Sequence, residues 1–178
     1  MKAACTLVAA LALAVPAVAQ TPANPLTTAT KSTFDLIKGN ITKSAEKVPE
    51  DQYSFKPSPD VRSFGQIVGH VADANFMICS AAGGSAGPKD SIEKTKTSKA
   101  DLQKALADSF AACDAAYSAM TDEKGSQMVK FFGREQPQLA VLAFNTAHDF
   151  EHYGNLVTYM RIKGIVPPSS EPKGQGTK

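Results

Sequence analysis

Residues 83–98 read GGSAGPKDSIEKTKTS. A stretch of about 16 residues is long for a hairpin between neighbouring antiparallel helices. It separates two amphipathic segments that each carry one cysteine, so its path decides how those segments lie. If they ran antiparallel, Cys79 would stand level with roughly residue 102, leaving Cys113 about 16 Å away at 1.5 Å per residue, too far for a disulfide. If they run parallel, with the stretch crossing the length of the molecule, Cys79 comes level with roughly residue 116 and Cys113 lies within a turn. A bond between Cys79 and Cys113 therefore requires an up-down-down-up arrangement, with two buried free thiols as the alternative.

Working outward, four segments carry apolar residues at helical period. The first, roughly 26 to 48, lines up Thr30, Phe34, Ile37, Ile41, Ala45 and Val48, and Pro49 stops it. EDQYSFKPSPDVR then crosses over without periodicity. Ser63 with Gln66 forms a capping box for the second helix, which carries Phe64, Ile67, Val71, Ala74 and Ile78 and ends at Gly83-Gly84. Ser98 caps the third, striped by Leu102, Leu106, Phe110, Cys113, Tyr117 and Met120. QMVKFFGREQ reads as two short extended pieces around Gly133. Pro137 suits the first turn of a fourth helix running to Gly164, where Pro167-Pro168 stop it. Four helices of about 20 residues each, with no strand alternation, predict an all-α protein, a four-helix bundle.

The chain opens MKAACTLVAALALAVPAVA, one charge ahead of an apolar run that closes on a small-x-small cleavage site. We expect residues 1–19 to be a signal peptide, 20–166 a single bundle domain and 167–178 a flexible polar tail. Export predicts a periplasmic or secreted protein, where an oxidising environment suits a disulfide. No later apolar run approaches the roughly 18 residues of a membrane span. Of the 19 basic residues Lys2 leaves with the leader, so 18 face 17 acidic ones. That near-neutral balance, without a basic cluster, excludes nucleic acid as a partner. A small-molecule substrate remains the expected partner, and the chain is expected to be a monomer or homodimer.

Only three histidines occur in 178 residues, and two of them stand four apart in HDFEHYG, residues 148–154. At roughly 100° per residue from Val141, His148 falls near −20° and His152 near +20°, in the middle of the apolar stripe. His70 falls near −60° from Ile67, on the shoulder of the buried arc of the second helix. Burying three titratable rings is costly unless one partner satisfies them together, and a divalent ion does so. His70, His148 and His152 are therefore the expected metal ligands. Three neutral ligands leave an open position, the pattern of a catalytic site. Imidazole alone admits zinc, nickel, iron or manganese. Asp149 and Glu151 imitate two metalloprotease patterns loosely, and both are expected on the solvated edges of the helix. Asn145, one turn before His148, is the expected hydrogen-bonding support of the ligands. No residue stands out as a general base.

SFGQIVGHVADAN around His70, HDFEHYGNLVTYMRIKGIVPPSS around the histidine pair and the lead-in FKPSPDVRS resemble the DinB-like (DinB/YfiT) metal-binding proteins. The resemblance spans most of the chain after the leader. It implies an up-down-down-up bundle with His70, His148 and His152 as the ligand triad. Family members include thiol-dependent transferases and isomerases. The resemblance therefore implies a metalloenzyme, hydrolase or thiol-dependent transferase, and an export signal argues against the thiol role because small thiols are scarce in oxidising compartments. The alternative is a bundle that binds metal without catalysis.

Overall fold

A computed structural model describes residues 23–172. The expected leader and residues 173–178 of the expected tail lie outside the described residues. Six helices and one hairpin follow in the order α1 (Pro25–Lys47), α2 (Phe64–Ala81), α3 (Ile92–Thr95), α4 (Lys99–Ser118), α5 (Asp122–Gly125), β1 (Met128–Phe131), β2 (Arg134–Pro137) and α6 (Gln138–Ile162). Four long helices build the core, so the protein is mostly helical. Among the described residues no helix is long and apolar enough to cross a membrane.

Two of the long helices, α2 and α4, start where the sequence supplies a side-chain cap. Pro25 opens α1, whose first amides, Leu26 and Thr27, donate to the carboxylate of Asp122 at 3.1 and 2.8 Å. Ser63 and Gln66 exchange both bonds of the capping box at the head of α2. The side chain of Ser98 accepts from the Asp101 amide at the head of α4. Pro137 closes β2 one residue before α6 begins, where the sequence put it in the first helical turn.

Phe34, Ile37, Ile41 and Ala45 of α1 are buried at helical spacing, and Thr27 rather than Thr30 extends the stripe. They meet Ile67, Val71 and Ile78 of α2, Leu102, Leu106 and Phe110 of α4, and Val141, Leu142 and Leu156 of α6 in one apolar core. Phe34 stacks on Tyr117 with ring centroids 4.1 Å apart.

Contacts along the helices fix their directions. A Cβ on Gly65 would meet Leu102, Asn75 reaches Ser109 at 3.5 Å, and Cys79 is bonded to Cys113 with Cα atoms 5.2 Å apart. Residue numbers therefore rise together along α2 and α4. The carbonyl of Ala45 accepts from Gln103 while Phe34 lies on Tyr117, so α1 and α4 run oppositely. Asn75 meets Asn145 and His70 meets His152, so α2 and α6 also run oppositely.

Two regions differ from the sequence reading. The stretch between α2 and α4 contains α3, held because Asp73 of α2 accepts from the Ile92 and Glu93 amides at 2.8 and 3.1 Å and from Ser91 Oγ at 2.7 Å. The expected flexible tail is held as far as it is described. Residues Pro168–Ser170 form a 3-10 turn, Tyr153 donates to Ser169 Oγ at 2.8 Å, and Lys47 pairs with Glu171 at 2.6 Å. Polar composition alone did not reveal these partners, which lie far off in sequence.

Candidate metal centre

The capping box sets the phase of α2, so that Ile67, Val71 and Ala74 enter the core while His70 turns toward α6. On α6 the i, i+4 spacing stacks His148 and His152 on one face. The three rings converge. Centroids lie 4.4 Å apart for His148 and His152, 4.6 Å for His70 and His152, and 5.2 Å for His70 and His148. One ring nitrogen from each lies within 4.8 Å of the others.

The donor set fits a divalent ion. His148 Nε2 and His152 Nε2 face each other at 3.0 Å, close to the roughly 3.3 Å that separates two imidazole nitrogens bound tetrahedrally at 2.0–2.1 Å. Burial, with the neighbouring rings and Arg62, pushes His152 down to about 3. Burial first, and then His70, lowers His148 as well. Both rings are therefore neutral near pH 7, the state a ligand needs. Nδ1 of His148 is buried with no partner among the described residues.

Glu93 supports the first ring. Its Oε2 accepts from His70 Nδ1 at 3.2 Å, which leaves Nε2 of that ring for the cluster, and its Oε1 accepts from Arg62 Nε at 2.9 Å. Such carboxylate–imidazole pairs fix the orientation of a ligand and raise its basicity. The amide of Asn155 lies 3.4 Å from His152 Nδ1, and an amide can turn either end toward a ring. Glu93 was missed because the stretch around it has no helical period. Ser91 at the N-cap of α3 was the only local signal, and it is short.

Asn145 corrects the expectation placed on it. Its Nδ2 donates to Asn75 Oδ1 at 2.6 Å and its Oδ1 accepts from Tyr117 at 3.1 Å. It ties α2, α4 and α6 together and meets none of the three rings. Asp149 corrects another. It is fully buried, neither carboxylate oxygen has a partner among the described residues, and burial raises its pKa well above the ordinary value. Glu151 is exposed as expected. Cys79, on the far side of α2 from His70, is joined to Cys113 and takes no part in the cluster.

A cleft of about 530 Å³ opens beside His152, walled by Arg62, Gln66, Glu93, Asn155 and Tyr159 and edged by Lys56, Pro59, Asp60 and Val61. Its size is that of a small-molecule site.

The sequence profile of the DinB superfamily matches residues 33–156. An uncharacterized protein of Bacillus subtilis, YjoA, is 27% identical over 128 residues, covering 70% of this chain and 83% of its own. Its crystal structure, described as DinB-like, aligns with a TM-score of 0.65 over 82% of this chain and 99% of that one, at 25% identity. A DinB-like protein from Bacillus cereus aligns with a TM-score of 0.70 at 20% identity, over 79% of this chain and 95% of that one. The mycothiol-dependent maleylpyruvate isomerase shares the fold at a TM-score of 0.61 and 14% identity, over 73% of this chain and 60% of that one. The profile spans the stretch from α1 to the histidine pair, and the chain belongs to the DinB superfamily.

Proposed function

We propose that this chain is an exported metalloenzyme of up-down-down-up topology in which His70, His148 and His152 hold one divalent metal ion. The observation that carries the reading is the approach of three ring nitrogens, from two helices that run oppositely, to within 4.8 Å of one another. The helix directions support the topology, and the bonded cysteine pair supports an oxidising compartment.

When bound, such an ion acts as a Lewis acid with an open position, acidifying a water or binding a substrate oxygen or thiol. The chain's own residues do the rest. Glu93 orients the His70 ring. Burial keeps His148 and His152 unprotonated. The cleft beside His152 admits a small molecule. Hydrolysis and thiol-dependent transfer both suit this arrangement, and the fold shared with a mycothiol-dependent isomerase makes thiol-conjugate formation the first assay.

A second reading draws on the same rings. Because they join α2 to α6, an ion there would also fasten the bundle, so metal held for stability alone is the alternative. Elemental analysis of the mature protein purified from its own source tests the first claim. Close to one equivalent of zinc, nickel, iron or manganese is expected, and none in the double variant His148→Ala, His152→Ala. Wild type devoid of metal and unchanged in melting temperature on adding any of the four would defeat both readings. Metal that raises the melting temperature, with no turnover in hydrolytic or thiol-transfer assays, would favour the second.

A further inference from the structure

The cleft beside His152 has an uneven wall. Arg62 is anchored at both ends of its residue, its carbonyl accepting from the Tyr159 hydroxyl at 2.8 Å and its Nε donating to Glu93 at 2.9 Å. Glu93 in turn holds His70, so the guanidinium keeps a fixed relation to the ring cluster. The terminal Nη1 and Nη2 of Arg62 make no hydrogen bond to any described residue, and its side chain is exposed at the cleft wall. A guanidinium held by Nε, with both terminal nitrogens free in a cleft, is a fork awaiting a planar anion.

Charge balance sharpens the point. The cleft is lined by two cations, Lys56 and Arg62, and two carboxylates, Asp60 and Glu93. Glu93 has one oxygen on Arg62 and the other on His70, and Asp60 is exposed on the loop. The four charges of the lining sum to zero. A divalent ion would tip it to a net charge of two positive, so an anionic ligand should be favoured only when the ion is bound.

Resting on the metal-centre reading above, we propose that the cleft takes a small organic carboxylate, its anionic end on the Nη atoms of Arg62 and its other polar end toward the three imidazoles. Lys56, exposed on the loop, adds long-range attraction without fixing geometry.

The test uses two hydroxamates as metal-directed probes, the monohydroxamate of succinate and the uncharged butyrohydroxamate of matching chain length. Calorimetric titration into zinc-loaded wild type is expected to show the carboxylate probe binding about ten-fold tighter. Arg62→Met should abolish that preference, read as the ratio of the two probe affinities in the zinc-loaded variant, so that any loss of zinc affinity through Glu93 cancels between the probes. Lys56→Met should keep most of it. Equal affinities in wild type, or a preference that survives Arg62→Met, would overturn the proposal and leave the metal centre standing. Failure of wild type to take up zinc would overturn both, so the two failures are told apart by the metal titration alone.

Discussion

Glu93 shows what one side chain does at this site and how little of it the sequence displays. Its carboxylate touches His70 with one oxygen and Arg62 with the other, so replacing it by glutamine keeps the shape and removes the charge. Glu93→Gln is expected to weaken zinc binding by about 10- to 100-fold, read by competition with a chelator, with little change in melting temperature of the metal-free protein. Unchanged affinity would mean that the ring needs no support. Asp149 makes the opposite case. A buried carboxyl with both oxygens unpartnered carries a desolvation cost that nothing visible offsets. Asp149→Val is expected to stabilise the metal-free protein by about 1–3 kcal/mol in urea denaturation. Destabilisation would reveal a partner for that carboxyl. The histidines were legible from spacing and stripe position alone. Asp149 was misread because it lies roughly 80° from Val141 on the helical wheel, an edge position on a narrow stripe. The buried face of α6 is wider, running from Val141 and Leu142 through Thr146 to Tyr153, since the helix packs on both α1 and α2.

Among the elements, α3 governs the centre although it is only one turn long. Asp73 fastens its head, and Gly69 lets it approach α2 so closely that a Cβ there would stand 2.8 Å from the Glu93 Cα. Alanine in a helix interior normally stabilises by about 0.5–1 kcal/mol over glycine. Gly154 of α6 has nothing within 4 Å of its virtual Cβ, so Gly154→Ala should show that gain in thermal melts. Gly69→Ala should lose stability instead and, by pushing Glu93 away, weaken zinc binding as Glu93→Gln does. Equal gains at the two sites would show that α3 is free to move aside. The long helices were legible because capping residues and apolar period agreed. The hairpin was half legible, as two extended pieces around Gly133, but its turn was not. Phe132 and Gly133 take φ values of 48° and 76°, both positive as a type I′ turn demands. Phenylalanine is a poor signal for that conformation, and the docking of Phe131, Phe132 and Phe144 rings on one another accompanies it.

For the molecule as a whole, the helical fold was legible in four segments of helical period, while the path of residues 83–98 and the level of two cysteines tied the order of the helices to the presence of a disulfide. Composition said nothing of the contacts that hold residues 169–171 against α1 and α6, because Lys47 and Glu171 are paired only by the finished fold. The core also sets a limit in alkali. Burial pushes the phenols of Tyr53 and Tyr117 well above their usual range, while in the unfolded chain they ionise near pH 10. Folded pKa values above unfolded ones mean that their contribution is intact below about pH 10 and is lost as pH rises beyond it. Urea midpoints measured from pH 8 to 11.5 are therefore expected to hold and then fall, and a flat profile through pH 11.5 would place those hydroxyls in contact with water. The proposed function rests on a shorter length scale, the meeting of three rings inside this bundle. The most direct measurement is a crystal of the zinc-loaded protein recorded on both sides of the zinc absorption edge. One anomalous peak about 2.0–2.1 Å from a single nitrogen of each of His70, His148 and His152 is expected. No peak among those rings, or a peak bound by other side chains, would contradict the account.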